Sequence, residues 1–242
     1  MSQLGSFDSS CDIKIYKIMN ASRLQIGTSR LEKLSPSARE VFVDRSWIHL
    51  GDPPQPIVER LGRVLFRGDP VFTRGLYEGT DFREFFFRTG GRLPFENGSF
   101  SFVYSEHFFE HLTPSLALDL LRECHRILKI GGVLRTVVPD AILRTYEPPE
   151  AIGHPRHRPE GHPQKHLVRY TRELLSSAIE EGGFRAIPLD YCTPEGDHVQ
   201  RIPASIRCEY VQSVDCVDWP IVADTSYIMR VPSLIVDAIK ER

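Results

Sequence analysis

The chain has 242 residues, of which 41% are hydrophobic and 26% are charged, and its formal net charge is −2. This length suits one domain with a full core, and this composition excludes a disordered chain. The balanced charge offers no general attraction for nucleic acid or an anionic membrane surface. No apolar run approaches the length of a membrane span, and residues 1–20 lack the layout of a signal peptide.

Five cysteines are scattered along the chain without the spacing of paired metal ligands, at Cys11, Cys124, Cys192, Cys208 and Cys216. Together with the missing signal-peptide pattern, this predicts reduced thiols in a cytoplasmic protein. We expect one domain over residues 1–242, in which residues 1–20 form a partly ordered lead-in. The sequence contains no internal repeat that would divide it further.

The first half of the chain contains three candidate strands. Arg23–Gly27 is the first, and Thr28-Ser29 forms the turn after it. Val41–Asp44 is a short apolar run that predicts a second strand ending in a carboxylate. Leu76–Thr80 is the third candidate strand.

The middle of the chain predicts a strand–helix–strand unit. Ser101–Ser105 is an apolar, aromatic run typical of a buried strand. Pro114 opens a helix whose apolar residues recur at steps of three and four, and Gly131-Gly132 is expected to end it. Val133–Val138 follows as a second buried strand. This unit places the chain in the α/β class, because a helical crossover joins parallel strands.

The last third of the chain predicts one helix and two strands. Thr171 caps the helix, which ends at Gly182-Gly183. Its predicted buried face consists of Leu174, Leu175, Ala178 and Ile179. Ala186–Tyr191 and Ser233–Ile239 are the predicted strands, and residues 193–226 are expected to form an irregular insertion.

Several motifs together resemble the second half of class I S-adenosylmethionine-dependent methyltransferases. The nearest subgroup contains the small methyltransferases related to the ubiquinone and menaquinone type. The motifs are Leu93-Pro94-Phe95, the Phe100–Tyr104 strand, Glu110-His111-Leu112, the Arg122–Leu128 helix and Lys129-Ile130-Gly131-Gly132. The resemblance implies a single Rossmann-like, doubly wound sheet of seven strands in the order 3-2-1-4-5-7-6, with strand seven antiparallel.

The resemblance also implies a site for S-adenosylmethionine at the carboxyl ends of the strands. The family places a glycine-rich turn after strand one and an acidic residue after strand two, positions that Gly27, Thr28 and Asp44 occupy here. The family usually has two glycines in that turn, whereas this chain has one. An ordinary turn that binds nothing therefore stays open as a second interpretation.

Four further residues are candidates for cofactor contacts. Asp81 and Phe82 match the acidic and hydrophobic pair that contacts adenine in the family, although Asp81 equally suits a turn cap. Ser105 and Glu106 lie at the predicted carboxyl end of strand four, where ligands of parallel sheets bind.

Histidines follow strand four and provide the candidate catalytic groups. His107 is expected near the transferring methyl group, where a near-neutral pKa suits a general base, and a hydrogen-bonded wall residue is the alternative. His166 is a substitute base. His107, Glu110 and His111 also fit the H-x-x-E-H pattern of inverted zinc proteases. We disfavour that interpretation because the family carries similar residues there without metal, so no metal ligand is predicted.

Residues 146–165 form a loop rich in proline and histidine. Its histidines and His166 are interleaved with basic residues: His154, Arg156, His157, Arg158, His162, Lys165 and His166. A solvated loop, a substrate lid and a metal site all stay open for this segment. If it is a lid, its cationic residues favour an anionic acceptor.

These patterns lead to two hypotheses of function. The first is transfer of a methyl group from S-adenosylmethionine to an oxygen or nitrogen of a small molecule. The second is a degenerate methyltransferase fold that serves as a binding or scaffold partner, motivated by the altered turn at Gly27. A nucleic-acid methyltransferase is disfavoured because the sequence shows no basic stripe with interleaved aromatic residues.

Overall fold

The computed structural model describes residues 22–27, 35–51, 80–143, 166–210 and 218–241. The described residues contain one sheet of eight strands in the order β3-β2-β1-β4-β5-β8-β6-β7. The strands are β1 (Arg23–Ile26), β2 (Trp47–Gly51), β3 (Asp81–Glu84), β4 (Phe100–Glu106), β5 (Leu128–Val138), β6 (Arg185–Cys192), β7 (His198–Gln200) and β8 (Leu234–Ile239).

The strand directions confirm the predicted α/β class and sheet order. Strands β1 to β5 pair in parallel, and β8 lies antiparallel between β5 and β6. Strand β8 is therefore strand seven of the predicted order 3-2-1-4-5-7-6. The short strand β7 pairs with β6 and adds an eighth strand at the edge.

Five α-helices and two 3₁₀-helices accompany the sheet in the described part of the chain. The α-helices are α1 (Pro36–Phe42), α2 (Pro114–Ile127), α3 (Arg172–Glu181), α4 (Arg207–Tyr210) and α5 (Trp219–Ala223). The 3₁₀-helices are Phe109–His111 and Pro203–Ile206. None of these helices is long and apolar enough to cross a membrane.

Apolar side chains cover both faces of the sheet. On one face, Leu120 of α2 and Ile179 of α3 belong to a core cluster with Val103 of β4. On the other face, Phe42 of α1 and Val222 of α5 belong to a second cluster. The sheet is therefore doubly wound, as the strand–helix–strand pattern predicts.

Helix α2 confirms the clearest prediction from periodicity. The Thr113 hydroxyl accepts a hydrogen bond from the Leu116 N–H, and Pro114 occupies the first turn. The helix ends at Ile127, earlier than the predicted stop at Gly131-Gly132. Those glycines lie within β5 instead, where the Gly131 N–H donates to the Lys240 carbonyl.

The prediction of a second strand at Val41–Asp44 is wrong. Pro36–Phe42 is helix α1, which begins at the Ser35 cap, and Ala38 and Phe42 are its buried residues. This spacing of four is the period of a helix, which a window of four residues is too short to separate from a strand. The second strand is Trp47–Gly51.

Other predictions differ in smaller ways. Strand β3 begins at Asp81, whereas the sequence predicted a strand that ends just before it. Within residues 193–226, predicted to be irregular, the described part contains β7, one 3₁₀-helix and two short α-helices. Leu174 was assigned to the buried face of α3 but is exposed. The predicted lead-in at residues 1–20 and the loop at residues 146–165 lie outside the described residues.

Candidate active site at the carboxyl edge of the sheet

The parallel strands end together along what we call the carboxyl edge. It is formed by Gly27, Gly51, Glu84, Glu106 and Val138, each at or directly after the end of a strand. The register aligns Ile26 of β1 with Ser105 of β4, so Gly27 and Glu106 lie on neighbouring strands. The sequence prediction that Gly27, Ser105 and Glu106 share one edge agrees with this register.

Gly27 follows β1 with a positive φ of 73°. A Cβ at this position would lie 2.6 Å from the ring of Phe108, so no larger residue fits without displacing that ring. The glycine is therefore required by an aromatic side chain of the protein itself as well as by its backbone conformation. Thr28, the other predicted residue of this turn, lies outside the described residues.

Ser105 and Glu106 end strand β4 with unsatisfied polar atoms. Glu106 Oε1 accepts hydrogen bonds from the backbone N–H groups of Met229 and Arg230, at 3.1 and 2.8 Å. Ser105 Oγ and Glu106 Oε2 are buried and lack a hydrogen bond of good geometry, and the nearby Tyr104 hydroxyl is the polar side chain of the protein that acts on the Glu106 carboxyl group. Burial raises the pKa of the Glu106 carboxyl group. Unpaired buried polar atoms are costly, and a bound ligand is one way to satisfy them.

His107 directly follows β4 in the left-handed conformation, with φ of 51°. Its N–H still donates to the Val137 carbonyl at 2.8 Å, which fixes the backbone to β5. The ring nitrogens lie between two polar groups: Nδ1 is 3.3 Å from Glu110 Oε1, and Nε2 is 3.3 Å from Ser233 Oγ. The imidazole is thus held at the end of β4 from both sides.

The electrostatic surroundings correct the expectation of a near-neutral His107. Burial lowers the pKa of His107 to about 3, and the positive charges of Arg230, His166 and His111 act in the same direction. The imidazole is therefore neutral at pH 7. Its basicity is much weaker than that of an exposed histidine, so its use as a general base is disfavoured by this environment.

Glu110, His111 and His166 lie together beside His107. The Glu110 side chain is only 1% exposed, and burial raises the pKa of its carboxyl group to about 8. His111 Nε2 lies 3.8 Å from Glu110 Oε1, and the rings of His111 and His166 are 4.9 Å apart between centroids. The two predicted catalytic residues, His107 and His166, therefore meet through Glu110 and His111.

Asp44 was predicted at the carboxyl end of a strand, and the structure places it elsewhere. It lies in the turn between α1 and β2, where it accepts hydrogen bonds from the Ser46 N–H and hydroxyl at 3.1 and 3.0 Å. Its side chain is 53% exposed and lies 3.7 Å from Arg23, the first residue of β1. Asp44 is therefore at the opposite edge of the sheet from Gly27, about 13 Å away along the strand.

Asp81 and Phe82 are likewise displaced from their predicted place. Asp81 begins β3 opposite Ile48, near the start of β2, and Phe82 is the next residue along. The Arg83 guanidinium donates to both Asp81 carboxylate oxygens, at 2.9 and 2.7 Å. The acidic residue that follows β2 in the sequence is Asp52, which lies outside the described residues.

Two features of this edge were missed from the sequence. The Phe108 ring over Gly27 and the backbone at Met229 and Arg230 bound to Glu106 both join distant parts of the chain. The aromatic residue after Glu106-His107 was visible in the sequence, but its partner was not. The contact between Glu106 and Met229 spans 123 positions, and no local pattern encodes it.

Residues 78–136 match the model of a family described as a methyltransferase domain. The matched segment contains β3, β4, α2 and most of β5, and so includes the end of β4 at the carboxyl edge. The match covers about a quarter of the chain and agrees with the predicted resemblance to methyltransferases over that segment. No curated protein sequence matches the chain.

Solved structures similar to this chain include three methyltransferase cases. One is a chain in the Haloferax volcanii complex between the Trm112 methyltransferase activator and a proposed methyltransferase, with 16% identity, coverage of 92% and 84% of the two chains and a TM-score of 0.49. Another is the Burkholderia thailandensis 1,6-didemethyltoxoflavin-N1-methyltransferase with bound 1,6-didemethyltoxoflavin and S-adenosylhomocysteine. It is 11% identical, the match covers 92% of this chain and 72% of that chain, and the TM-score is 0.47. The third is an S-adenosylmethionine-dependent methyltransferase from Mesorhizobium loti. It is 16% identical, the match covers 91% of each chain, and the TM-score is 0.47.

Proposed function

We propose that this protein transfers a methyl group from S-adenosylmethionine to an oxygen or nitrogen of a small-molecule acceptor. The acceptor lone pair attacks the methyl carbon, the carbon–sulfur bond breaks, and sulfur keeps the electron pair. The proton of the acceptor passes to solvent water, and S-adenosylhomocysteine leaves. Such a reaction needs alignment above all, and positioning can supply about 7–11 kcal/mol of the barrier reduction.

The observation that carries this proposal is the set of unsatisfied polar atoms at the end of β4. Ser105 Oγ and Glu106 Oε2 are buried and unpaired at the edge where parallel sheets bind ligands. A carboxylate is also a suitable neighbour for the positive sulfonium of the cofactor. Gly27 directly follows the neighbouring strand β1, so its backbone lies at the same edge of the sheet as Ser105 and Glu106, whose side chains leave β4 on opposite faces.

His107 is proposed to orient the acceptor. As a neutral imidazole it offers one lone pair, which accepts a hydrogen bond from an acceptor O–H or N–H group. Its left-handed backbone and its contacts with Glu110 and Ser233 hold the ring in place. His166 is the second candidate for this role, because its ring packs against His111 in the same cluster.

Calorimetric titration with S-adenosylmethionine and S-adenosylhomocysteine tests the proposal. We expect micromolar binding to the wild-type protein and at least tenfold weaker binding to Asp52→Ala, because Asp52 is the acidic residue that follows β2 in the sequence. Asp44→Ala is the matched control. Its binding should equal that of the wild type, because Asp44 lies at the opposite edge of the sheet.

The His107→Asn variant separates the acceptor from the cofactor. Asparagine tolerates positive φ, so this variant keeps the backbone while it removes the imidazole. We expect wild-type cofactor binding and slower methyl transfer to any acceptor found by screening. No heat and no thermal shift at millimolar cofactor would contradict the enzymatic proposal.

A scaffold function is the second candidate, and one contact favours it. The Phe108 ring packs directly on Gly27, at the turn for which the resemblance implies a cofactor site. If Phe108 stays there, the turn serves packing and not binding. The same titration decides between the two functions, because a scaffold of this kind binds neither S-adenosylmethionine nor S-adenosylhomocysteine.

A further inference from the structure

A cluster of metal-binding side-chain types lies next to the end of β4. One potential ligand atom from each of Glu110, His111 and His166 lies within 4.8 Å of the others. Two imidazoles and one carboxylate form the ligand set that catalytic zinc sites use. The same set also binds other divalent transition metals.

Backbone hydrogen bonds of the residues after His166 fix the cluster. The N–H groups of Leu167 and Val168 both donate to the Glu110 carbonyl, at 2.7 and 3.2 Å. These bonds dock the residues after His166 onto the 3₁₀-helix that carries Glu110 and His111. The two imidazole rings consequently meet edge to face at an interplanar angle of 72°.

The Glu110 carboxylate supplies a separate observation that points to a ligand. Its side chain is 1% exposed, and neither of its oxygens has a hydrogen-bond partner. A buried carboxyl group without hydrogen bonds is unfavourable as an anion unless it is paired with a charge or bound to a metal, and otherwise it keeps its proton. The nearby imidazoles lie 3.3 Å (His107) and 3.8 Å (His111) from Glu110 Oε1 without completing a hydrogen bond.

We propose that Glu110, His111 and His166 bind one divalent transition-metal ion of the Zn²⁺ class. Zinc lies at about 2.0–2.2 Å from nitrogen and oxygen ligands, so tetrahedral ligand atoms are about 3.3 Å apart. Glu110 Oε1 and His111 Nε2 are now 3.8 Å apart, and the widest separation in the cluster is within 4.8 Å. Side-chain rotations that shorten these separations by about 0.5–1.5 Å bring the three atoms into range.

His107 is not one of the three proposed metal ligands but lies next to one of them, Glu110. His107 Nδ1 lies 3.3 Å from Glu110 Oε1, and a polar neighbour at this position can orient a metal-bound carboxylate. Three protein ligands leave a fourth position open, as in catalytic zinc sites. The assignment does not depend on the proposed methyl transfer. It makes His166 a metal ligand, so the acceptor would be oriented by His107 and not by His166.

Metal titration of the chelator-treated, full-length protein tests this site. We expect one Zn²⁺ ion per chain by calorimetry, and at least tenfold weaker binding in each of the variants His111→Ala and His166→Ala. Co²⁺ should give the intense visible absorption of a tetrahedral site. The Glu110→Gln variant keeps the side-chain shape and should also bind Zn²⁺ at least tenfold more weakly, because it loses the negative charge.

Other histidines of the chain provide the controls. His198→Ala alters a histidine on β7, and the triple variant His154→Ala, His157→Ala and His162→Ala alters the preceding loop; both should bind Zn²⁺ like the wild type. Thermal unfolding of each metal-free variant verifies that it folds. Less than one equivalent of Zn²⁺, or unchanged affinity in the double variant His111→Ala and His166→Ala, would overturn the proposal. Titration of the metal-free protein with S-adenosylhomocysteine tests the proposed function separately.

Discussion

At the scale of single residues, His49 shows how burial fixes a protonation state. It is fully buried on β2, with Nε2 2.9 Å from the Phe42 carbonyl and Nδ1 2.7 Å from Gln25 Oε1. A neutral imidazole carries one N–H, which donates to the carbonyl, so Nδ1 must accept. The Gln25 amide satisfies this contact when its NH₂ group faces the ring, that is, with its nitrogen and oxygen exchanged.

We predict that His49 makes the protein less stable in acid. Burial lowers the pKa of His49 to about 4, from a value of about 6.5 in the unfolded chain. Between these pH values the unfolded chain binds more protons than the folded protein. The contribution of neutral His49 to the free energy of unfolding is therefore present above pH 6.5 and is lost as the pH falls toward 4. From pH 6.5 to 5 the loss is about 2 kcal/mol. Urea unfolding at both pH values measures it.

The variant His49→Gln is the control for this pH dependence. Glutamine keeps a hydrogen-bonding group near Phe42 and Gln25 but does not titrate in this range. Because the other buried histidines are present in both proteins, their contributions cancel in the comparison. Equal loss of stability between pH 6.5 and 5 in the two proteins would show that His49 is not the responsible group.

At the scale of elements, the predictable parts are those with long patterns. Helix α2 repeats its apolar positions over four turns and carries a cap and a first-turn proline, so its start at Pro114 was predicted. The predicted strand Val41–Asp44 was only four residues long. The helical spacing of Ala38 and Phe42 can be recognised only when the segment is extended back to its cap, Ser35. The sequence therefore placed Asp44 at the wrong edge of the sheet.

The candidate site follows the same rule. Ser105, Glu106 and His107 were predicted together because they follow one well-patterned strand. The meeting of His166 with His111 was not predicted, because it depends on hydrogen bonds from Leu167 and Val168 to the carbonyl of Glu110. Those bonds belong to backbone groups, which every residue carries, so no sequence signal marks them.

Helix α2 also holds the Leu93-Pro94-Phe95 segment through one side chain. Arg126 donates to the carbonyls of Phe95 and Leu93, at 2.7 and 2.9 Å. Its guanidinium also pairs with Glu123, which accepts the Leu93 N–H at 2.7 Å. This arrangement gives a structural reason for the motif: the proline segment is fastened to the last turns of the helix.

We predict that Arg126→Ala destabilises the protein by about 2–3 kcal/mol, because it removes charge-assisted hydrogen bonds from a side chain that is 17% exposed. Arg122→Ala on the same helix is the matched control. That arginine is 57% exposed and lies 4.0 Å from Glu181, so its loss should cost no more than about 0.5 kcal/mol. Urea unfolding compares the two, and equal effects would refute the role of Arg126.

At the scale of the whole molecule, one buried ion pair joins the sheet to the C-terminal helices. Arg135 of β5 donates to both oxygens of Asp237 on β8, each at 2.8 Å. The remaining N–H groups bind the carbonyls of Val222 and Asp224 and the Tyr227 hydroxyl. All five donors of the guanidinium are thereby used, which is the condition for burying such a charge.

The carboxylate of Asp237 makes the same connection from the other side. The Tyr210 hydroxyl of α4 donates to Asp237 Oδ2 at 2.7 Å. Helices α4 and α5, which the sequence analysis left in an irregular insertion, are thus tied to the centre of the sheet. Helices this short are not stable alone. Their position therefore depends on tertiary contacts such as those with the Arg135–Asp237 pair.

We predict that Asp237→Asn destabilises the whole molecule by about 3–5 kcal/mol, because it leaves the Arg135 charge buried without a counterion. The double variant Arg135→Met and Asp237→Leu should be more stable than Asp237→Asn, because it removes both charges and fills the space with apolar atoms. Glu173→Gln removes an exposed partner of Arg172 and should cost less than about 1 kcal/mol.

Urea unfolding and hydrogen exchange together distinguish this role from local packing. If the pair joins the helices to the sheet, Asp237→Asn should speed exchange at the buried helix residues Tyr210 and Val222 as well as in β5 and β8. Faster exchange confined to the two strands would mean that the helices dock without the pair. A double variant less stable than Asp237→Asn would mean that hydrogen bonds to the guanidinium, rather than its charge, determine how the second face of the sheet is closed.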